Sequence, residues 1–269
     1  MNYLDRINTE LPINLATAYE IALKTPDVKI LSKEPDVSNI VGSLDWDIYE
    51  SEDIAIQKIN GCEITCHAAW DGDKFGCWLI SINDRWLLTG GQGIQLSSNC
   101  TTLFAERCAA MDEYFLRLVP LVKKHGHQGF VSIEVVFKDG TPVYSSIGFG
   151  VTLLLSNMIQ QLYDFSSGMP ITAEDLPRGF VGSMRIYAYP YMPDLNKELG
   201  DAIIDNEKEI YFWDRDSYVI YEKGRNITET WKAIYMKASA LKKYGICYRT
   251  DGDIKARQTF YRLKKEKII

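Results

Sequence analysis

The chain has 269 residues, 46% of them hydrophobic and 12% aromatic, which is enough apolar side chain for a substantial packed core and excludes disorder as the dominant state. A formal net charge of -6 and a pI near 5.2 argue against a protein that coats nucleic acid, because displacing counterions from phosphates needs a basic surface. The opening Met1-Asn2-Tyr3-Leu4-Asp5-Arg6 lacks the basic, apolar and small-residue succession of a signal peptide, and no apolar stretch reaches the ~18 residues of a membrane span, so the expectation is a soluble, intracellular protein without a membrane partner.

In chain order, residues 15–23 carry a helical apolar spacing that Pro26 and Pro35 interrupt, and residues 38–49 read as loop and short strand. From Asp53 to Leu88 the runs DIAIQKI, EITCHAAW, GCWLISI and RWLLT are separated by Asn60-Gly61, Asp71-Gly72-Asp73 and Asn83-Asp84, a spacing of turn formers that predicts an antiparallel meander. Six cysteines (Cys62, Cys66, Cys77, Cys100, Cys108, Cys247) show no paired framework and fit reduced thiols. Cys62-x-x-x-Cys66-His67 has no standard zinc-finger spacing, and core packing on one strand face is the simpler reading.

An amphipathic helix is predicted over residues 105–124, with Cys108, Met111, Phe115, Leu118 and Val122 on one side and Pro120 distorting its last turn. Two strands flank Lys138-Asp139-Gly140-Thr141, since Asp-Gly between apolar runs is a strong hairpin signal. A second helix is expected over residues 153–163 and a connector over 169–177. Strands follow at 182–189, 209–213 and 218–222, then a helix at 228–243 with Thr228 as N-cap, Glu229 on its dipole, and Trp231, Ile234, Tyr235, Ala238 and Leu241 as its buried stripe. Lys255, Arg257, Arg262, Lys264, Lys265 and Lys267 crowd the C-terminal residues, as a solvated helical end or as a contact for phosphate or an acidic partner.

The hairpin at 129–150 resembles the metal-binding strands of ATP-grasp ligases, most closely phosphoribosylamine-glycine ligase. That family ends its second strand in Glu-Phe-Asn-x-Arg-Phe-Gly, and this chain has Tyr144-Ser145-Ser146-Ile147-Gly148-Phe149-Gly150. Glu134, on the first strand, matches a magnesium ligand, or is a solvated strand carboxylate. Ile59-Asn60-Gly61-Cys62-Glu63-Ile64-Thr65 is similar to a segment whose Glu binds the ATP ribose, which places Glu63 in that role, with an exposed strand Glu as the alternative. Thr89-Gly90-Gly91-Gln92-Gly93 resembles a substrate loop, implicating Thr89, Gly90, Gly91 and Gly93. Asn226 to Ala233 and Tyr244 to Asp251 look like the family's closing segment, a helix that runs into a Tyr-Arg-x-Asp-Ile-Gly ending, and Arg185 to Pro190 resembles the family's strand before its Gly-Tyr-Pro turn.

The departures concentrate on the chemistry. Residues 1–60 are too few for the family's N-terminal domain and Gly-rich lid, Lys29 and Lys33 lie in no nucleotide motif, and the family's Asp-His-Lys-Arg stretch is reduced to Asn83-Asp84-Arg85. The resemblance implies an α+β fold: an ATP-grasp-like antiparallel sheet with packed helices over 53–168, after a divergent segment 1–52 and before a small barrel-like or sandwich C-terminal domain at 169–269. It further implies a ligase site that has lost activity, on a scaffold kept for binding or assembly, of the kind a compact viral genome would carry in an infected cell or virion. The other class is a working ATP-dependent carboxylate-amine ligase. ATP and magnesium are the implied cofactors if the ancestral site is retained; a protein partner or self-assembly is expected, and nucleic acid is not.

Overall fold

The computed structural model describes residues 46–49, 54–57, 61–89, 95–124, 126–127, 129–149, 178–188, 198–199, 210–214 and 217–269. The helices expected at 15–23 and 153–163 lie outside them. The chain divides into two compact units, one drawn from Met1–Gly76, Cys108–Val151 and Glu266–Ile269, the other from Cys77–Arg107 and Thr152–Lys265.

In the first unit, β1 (Trp46–Tyr49) pairs antiparallel with β2 (Ile54–Gln57). A separate antiparallel set is built on β6 (Gly129–Lys138), flanked by β3 (Cys62–Trp70) and β7 (Thr141–Phe149). The β6–β7 turn forms as its Asp-Gly predicts, with both central residues at positive φ, 51° at Asp139 and 77° at Gly140. The turn after β3 is fixed by Asp71, whose Oδ1 accepts from the amides of Asp73 (2.9 Å) and Lys74 (2.8 Å).

Val131, Ile133, Val135 and Phe137 alternate along β6 and are all fully buried, opposite the likewise buried Ala68, Cys66, Ile64 and Cys62. α1 (Asp112–Lys124) buries Phe115, Leu118 and Val122, and Phe115 meets Trp70, at the end of the same β3 face, by way of Phe75, with ring centroids 5.2 and 4.9 Å apart. The helix starts later than its spacing predicts: residues 105–108 are irregular and Ala109–Met111 form a 3-10 turn. Pro120 lies on its exposed side and the helix continues to Lys124.

The second unit holds a sheet in the order β4-β5-β8-β10-β9 from β4 (Phe75–Thr89, all but its first two residues), β5 (Gln95–Phe104), β8 (Phe180–Ala188), β9 (Ile210–Asp214) and β10 (Ser217–Gly224), with β11 (Ile246–Cys247) against the end of β8. All these pairings are antiparallel. β4 corrects the meander reading, because Asn83-Asp84 makes no turn and GCWLISI and RWLLT are one strand of 15 residues. The reason is tertiary. Asn83 Oδ1 accepts from Thr101 Oγ1 (2.9 Å) on β5, and the buried Asp84 accepts from Arg249 (2.7 Å), so side chains that could have closed a turn are held by distant partners.

α2 (Ile227–Ala240, continued by a 3-10 turn at Leu241–Tyr244) and α3 (Gly252–Lys265) pack in this unit. Trp231, Ile234 and Ala238 of α2 meet Cys100, Met184, Ile186, Ile220 and Ala256 in the core, and Trp231 Nε1 donates to Thr102 Oγ1 at 2.8 Å. Gly182 lets the helix come close, since a Cβ there would lie 2.7 Å from Ile234 Cδ1 and 2.8 Å from Thr230 Cγ2. The N-cap of α2 is Asn226, not Thr228: Asn226 is extended and its side chain accepts from the Glu229 amide at 2.9 Å, whereas Thr228 is already inside the first turn.

Candidate functional site

The second face of the β3–β6 pair carries the candidate carboxylates. Successive strand side chains alternate, so Glu63, Thr65, His67 and Ala69 lie opposite Val136, Glu134, Ser132 and Phe130 on the face turned away from Cys62, Ile64 and Cys66. This face is graded. Ala69, Phe130 and His67 are buried at one end, Thr65 is 6% exposed, Glu134 is half-buried, and Glu63 at the other end is exposed. Glu134 is the register partner of Thr65, which makes Glu63 and His67 its diagonal neighbours, at the ~7–8 Å usual for such positions. Glu63 and Glu134, singled out for different roles, thus stand two register positions apart on one face.

Across the hairpin, β6 and β7 slip register between Glu134 and Val135. Ser146 pairs with Glu134 and Gly148 with Ser132, while Tyr144 pairs with Val135, a residue of the buried face. The positions that hold Glu and Asn in the ligases' strand are therefore opposite different faces of β6. Thr89 is the last residue of β4, paired with Gln95, and belongs to the second unit; Gly90, Gly91 and Gly93 lie outside the described residues.

Adjacent residues on a strand face opposite ways, so Cys66 and His67 cannot join in one zinc site. Burial pushes the His67 ring down to about 3, leaving it neutral. Cys66 instead hydrogen-bonds Cys108; that bond and burial push its thiol well above the usual range, which makes it unreactive. Among the described residues, no three His, Cys, Asp or Glu side chains come together to hold a metal ion. What the face offers magnesium is one carboxylate from Glu134, a second from Glu63, and the hydroxyl of Thr65. Magnesium is commonly held by one or two carboxylates together with substrate phosphates, so this donor set fits a nucleotide-bound ion in part and a protein-only ion not at all. Glu63 is the exposed one of the two, and a carboxylate is a group that can accept from sugar hydroxyls. Thr65 and His67 were not singled out as neighbours of this surface, although the alternation Glu63-Thr65-His67 already put them there.

In fold, the antiparallel sheet with its packed helices is ATP-grasp-like. The phosphoribosylaminoimidazole carboxylase ATPase subunit from Aquifex aeolicus matches with a TM-score of 0.51 at 16% identity, over 86% of this chain and 75% of that one. Phosphoribosylamine-glycine ligase from Thermotoga maritima matches at 0.42 and 15% identity, over 73% of this chain and 56% of that one, so the chain spans little more than half the ligase's length. Glycinamide-RNase-transformylase T from Mycobacterium tuberculosis matches at 0.48 and 8%, over 83% and 70%. No family model and no curated protein match the sequence. Among the described residues, no helix is long and apolar enough to cross a membrane.

Proposed function

We propose that this chain is a divergent ATP-grasp-like protein that has lost ligase turnover and serves as a binding or assembly component, with a protein partner or further copies of itself. The observation that carries the reading is the pairing around Glu134: its neighbours across both strands are Thr65 and Ser146, and the position of the ligases' second carboxylate is Tyr144, in register with Val135. Acyl-phosphate ligation gathers triphosphate charge with magnesium and donors fixed around the transferred group. Glu134 without a carboxylate counterpart on β7 leaves that bracket half built. By analogy with single electrostatic donors, whose loss costs ~10² to 10³ in rate, missing both a metal ligand and a phosphate-facing cation would cost several orders of magnitude.

The rival reading is a working ATP-dependent carboxylate-amine ligase. It is favoured by Glu63 and Glu134 being diagonal neighbours at the more exposed end of one face of the same strand pair, where a ribose and a metal-bound phosphate could both be reached. Titration calorimetry with Mg-ATP, followed by phosphate release in the presence of candidate acids and amines, separates the two. No turnover, with or without nucleotide binding, is the expected result; turnover that Glu134→Ala abolishes would establish the ligase and end the first reading.

A further inference from the structure

The chain-wide charge of -6 conceals a segregation. Residues 223–265 hold twelve lysines and arginines against three carboxylates, while the rest of the chain holds eighteen against thirty-three. All forty-three belong to the second unit.

The structure shows how these cations are displayed. Ala256, Thr259 and Leu263 form the buried side of α3, and its outer side carries Ile254, Arg257, Gln258, Tyr261, Lys264 and Lys265. Tyr261 is 68% exposed, one helical turn beyond Arg257 and one before Lys264 and Lys265, spacings of roughly 5–6 Å along the axis. Elsewhere in the segment, lysines lie over half-exposed rings: Lys243 over Tyr244 at 4.7 Å and Lys242 over Tyr248 at 5.7 Å. Lys264 lies over Phe260 at 5.6 Å. Lys264 reaches Glu106 (3.5 Å), a surface pair of the kind worth ~0–1 kcal/mol, which an incoming anion can displace, while Arg257 is half-exposed beside the largely buried Asp253 (2.8 Å).

We propose that the outer face of α3 binds single-stranded nucleic acid, the phosphates taken by Arg257, Lys264 and Lys265 and a base stacked on Tyr261. A cation-aromatic-cation repeat at one-turn spacing matches a strand that alternates phosphates with flat bases, because stacking accepts any base and the charges follow the backbone. An acidic protein segment would use the cations but has no need of an exposed ring between them, and an anionic membrane would require the apolar side of α3, which the core occupies. The surrounding acidic chain restricts this to a local contact. It does not restore a coating protein of the kind the net charge excludes. The inference is independent of any ligase site.

The test is fluorescence anisotropy of a labelled twenty-nucleotide oligothymidine with the full chain, titrated at 50 to 300 mM salt. Binding at 50 mM salt that weakens steeply with added salt is expected. The K264E/K265E variant should bind at least tenfold more weakly, with the salt slope reduced by about 2. Tyr261→Ala should lose about tenfold, the size of one stacking contact, without changing that slope. All three positions are solvent-facing, and unchanged circular dichroism and melting would show that the variants fold. The proposal is overturned by absence of salt-dependent binding at 50 mM salt, by indifference to K264E/K265E, by indifference to Tyr261→Ala, by equal competition from polyglutamate, or by sedimentation with phosphatidylserine vesicles in place of oligonucleotide binding.

Discussion

The two units differ in the ionisable groups they bury. In the first, the polar side chains sealed into the interior are neutral: burial holds the rings of His67 and His127 at about 3 and about 4, and Cys66 is kept a thiol. In the second, beside buried hydroxyls such as those of Ser81, Thr102 and Ser183, a charged pair is sealed in: Arg249 reaches the buried Asp84 (2.7 Å) and the part-exposed Asp251 (2.8 Å), and although burial works against its charge, those hydrogen bonds push its ionisation up. Asp251 is held below the ordinary carboxylate range by the same bond. Neutral burial is cheap at neutral pH and fails on acidification. Paired burial tolerates mild acid but not the loss of a partner.

The largest test of that contrast is Trp231→Ala, which empties the centre of the second unit's core and strands the Thr102 hydroxyl; about 4 kcal/mol of unfolding free energy should disappear in a urea titration. Next, Asp84→Ala should cost about 3 kcal/mol, while the double variant Asp84→Leu, Arg249→Met, which removes both charges, should cost less. If the double variant proves the weaker protein, paired burial is not what holds this site.

A pH series breaks the comparison from the other side. Both histidines titrate lower in the folded chain than the ordinary 6.5, so the unfolded chain takes up the proton first. Stability is fully present above pH 6.5 and falls as pH drops toward the folded values, by up to ~1.4 kcal/mol per pH unit for each ring. Urea midpoints at pH 7 and pH 5 should show that slope in wild type and a shallower one in His67→Gln; equal slopes would mean His67 is not the group responsible. The smallest effect calibrates the rest: Asn226→Ala, which removes the cap of α2 at the surface, should cost ~1 kcal/mol at every pH between 5 and 7.

Local signals in the sequence were readable where local chemistry decides. Asp139-Gly140 gave a hairpin because only positive φ closes that turn, and the stripe Trp231, Ile234, Ala238 gave the buried side of α2. Asn83-Asp84 misled, because the same side chains that favour turns were recruited by Thr101 and Arg249 far along the chain. Thr228 misled more mildly; two polar residues at 226 and 228 compete for the cap, and the extended backbone at Asn226 settles it. For the candidate site, the residue types at Glu63 and Glu134 were visible, but their shared face is a matter of strand register. The slip opposite Glu134 has no signature in Tyr144-Ser145-Ser146 alone.

The bond from Arg249 to Asp84 joins residues 165 positions apart. A ribosome adding about 5–20 residues per second leaves Asp84 waiting on the order of ten to thirty seconds before its cation is even made. Until then the strand around it has a carboxylate that cannot be sealed, and Trp231, 129 positions beyond Thr102, is missing for most of the same interval. The second unit therefore completes its fold late in synthesis, and a nascent chain stalled before residue 249 should be sensitive to protease across residues 77–107.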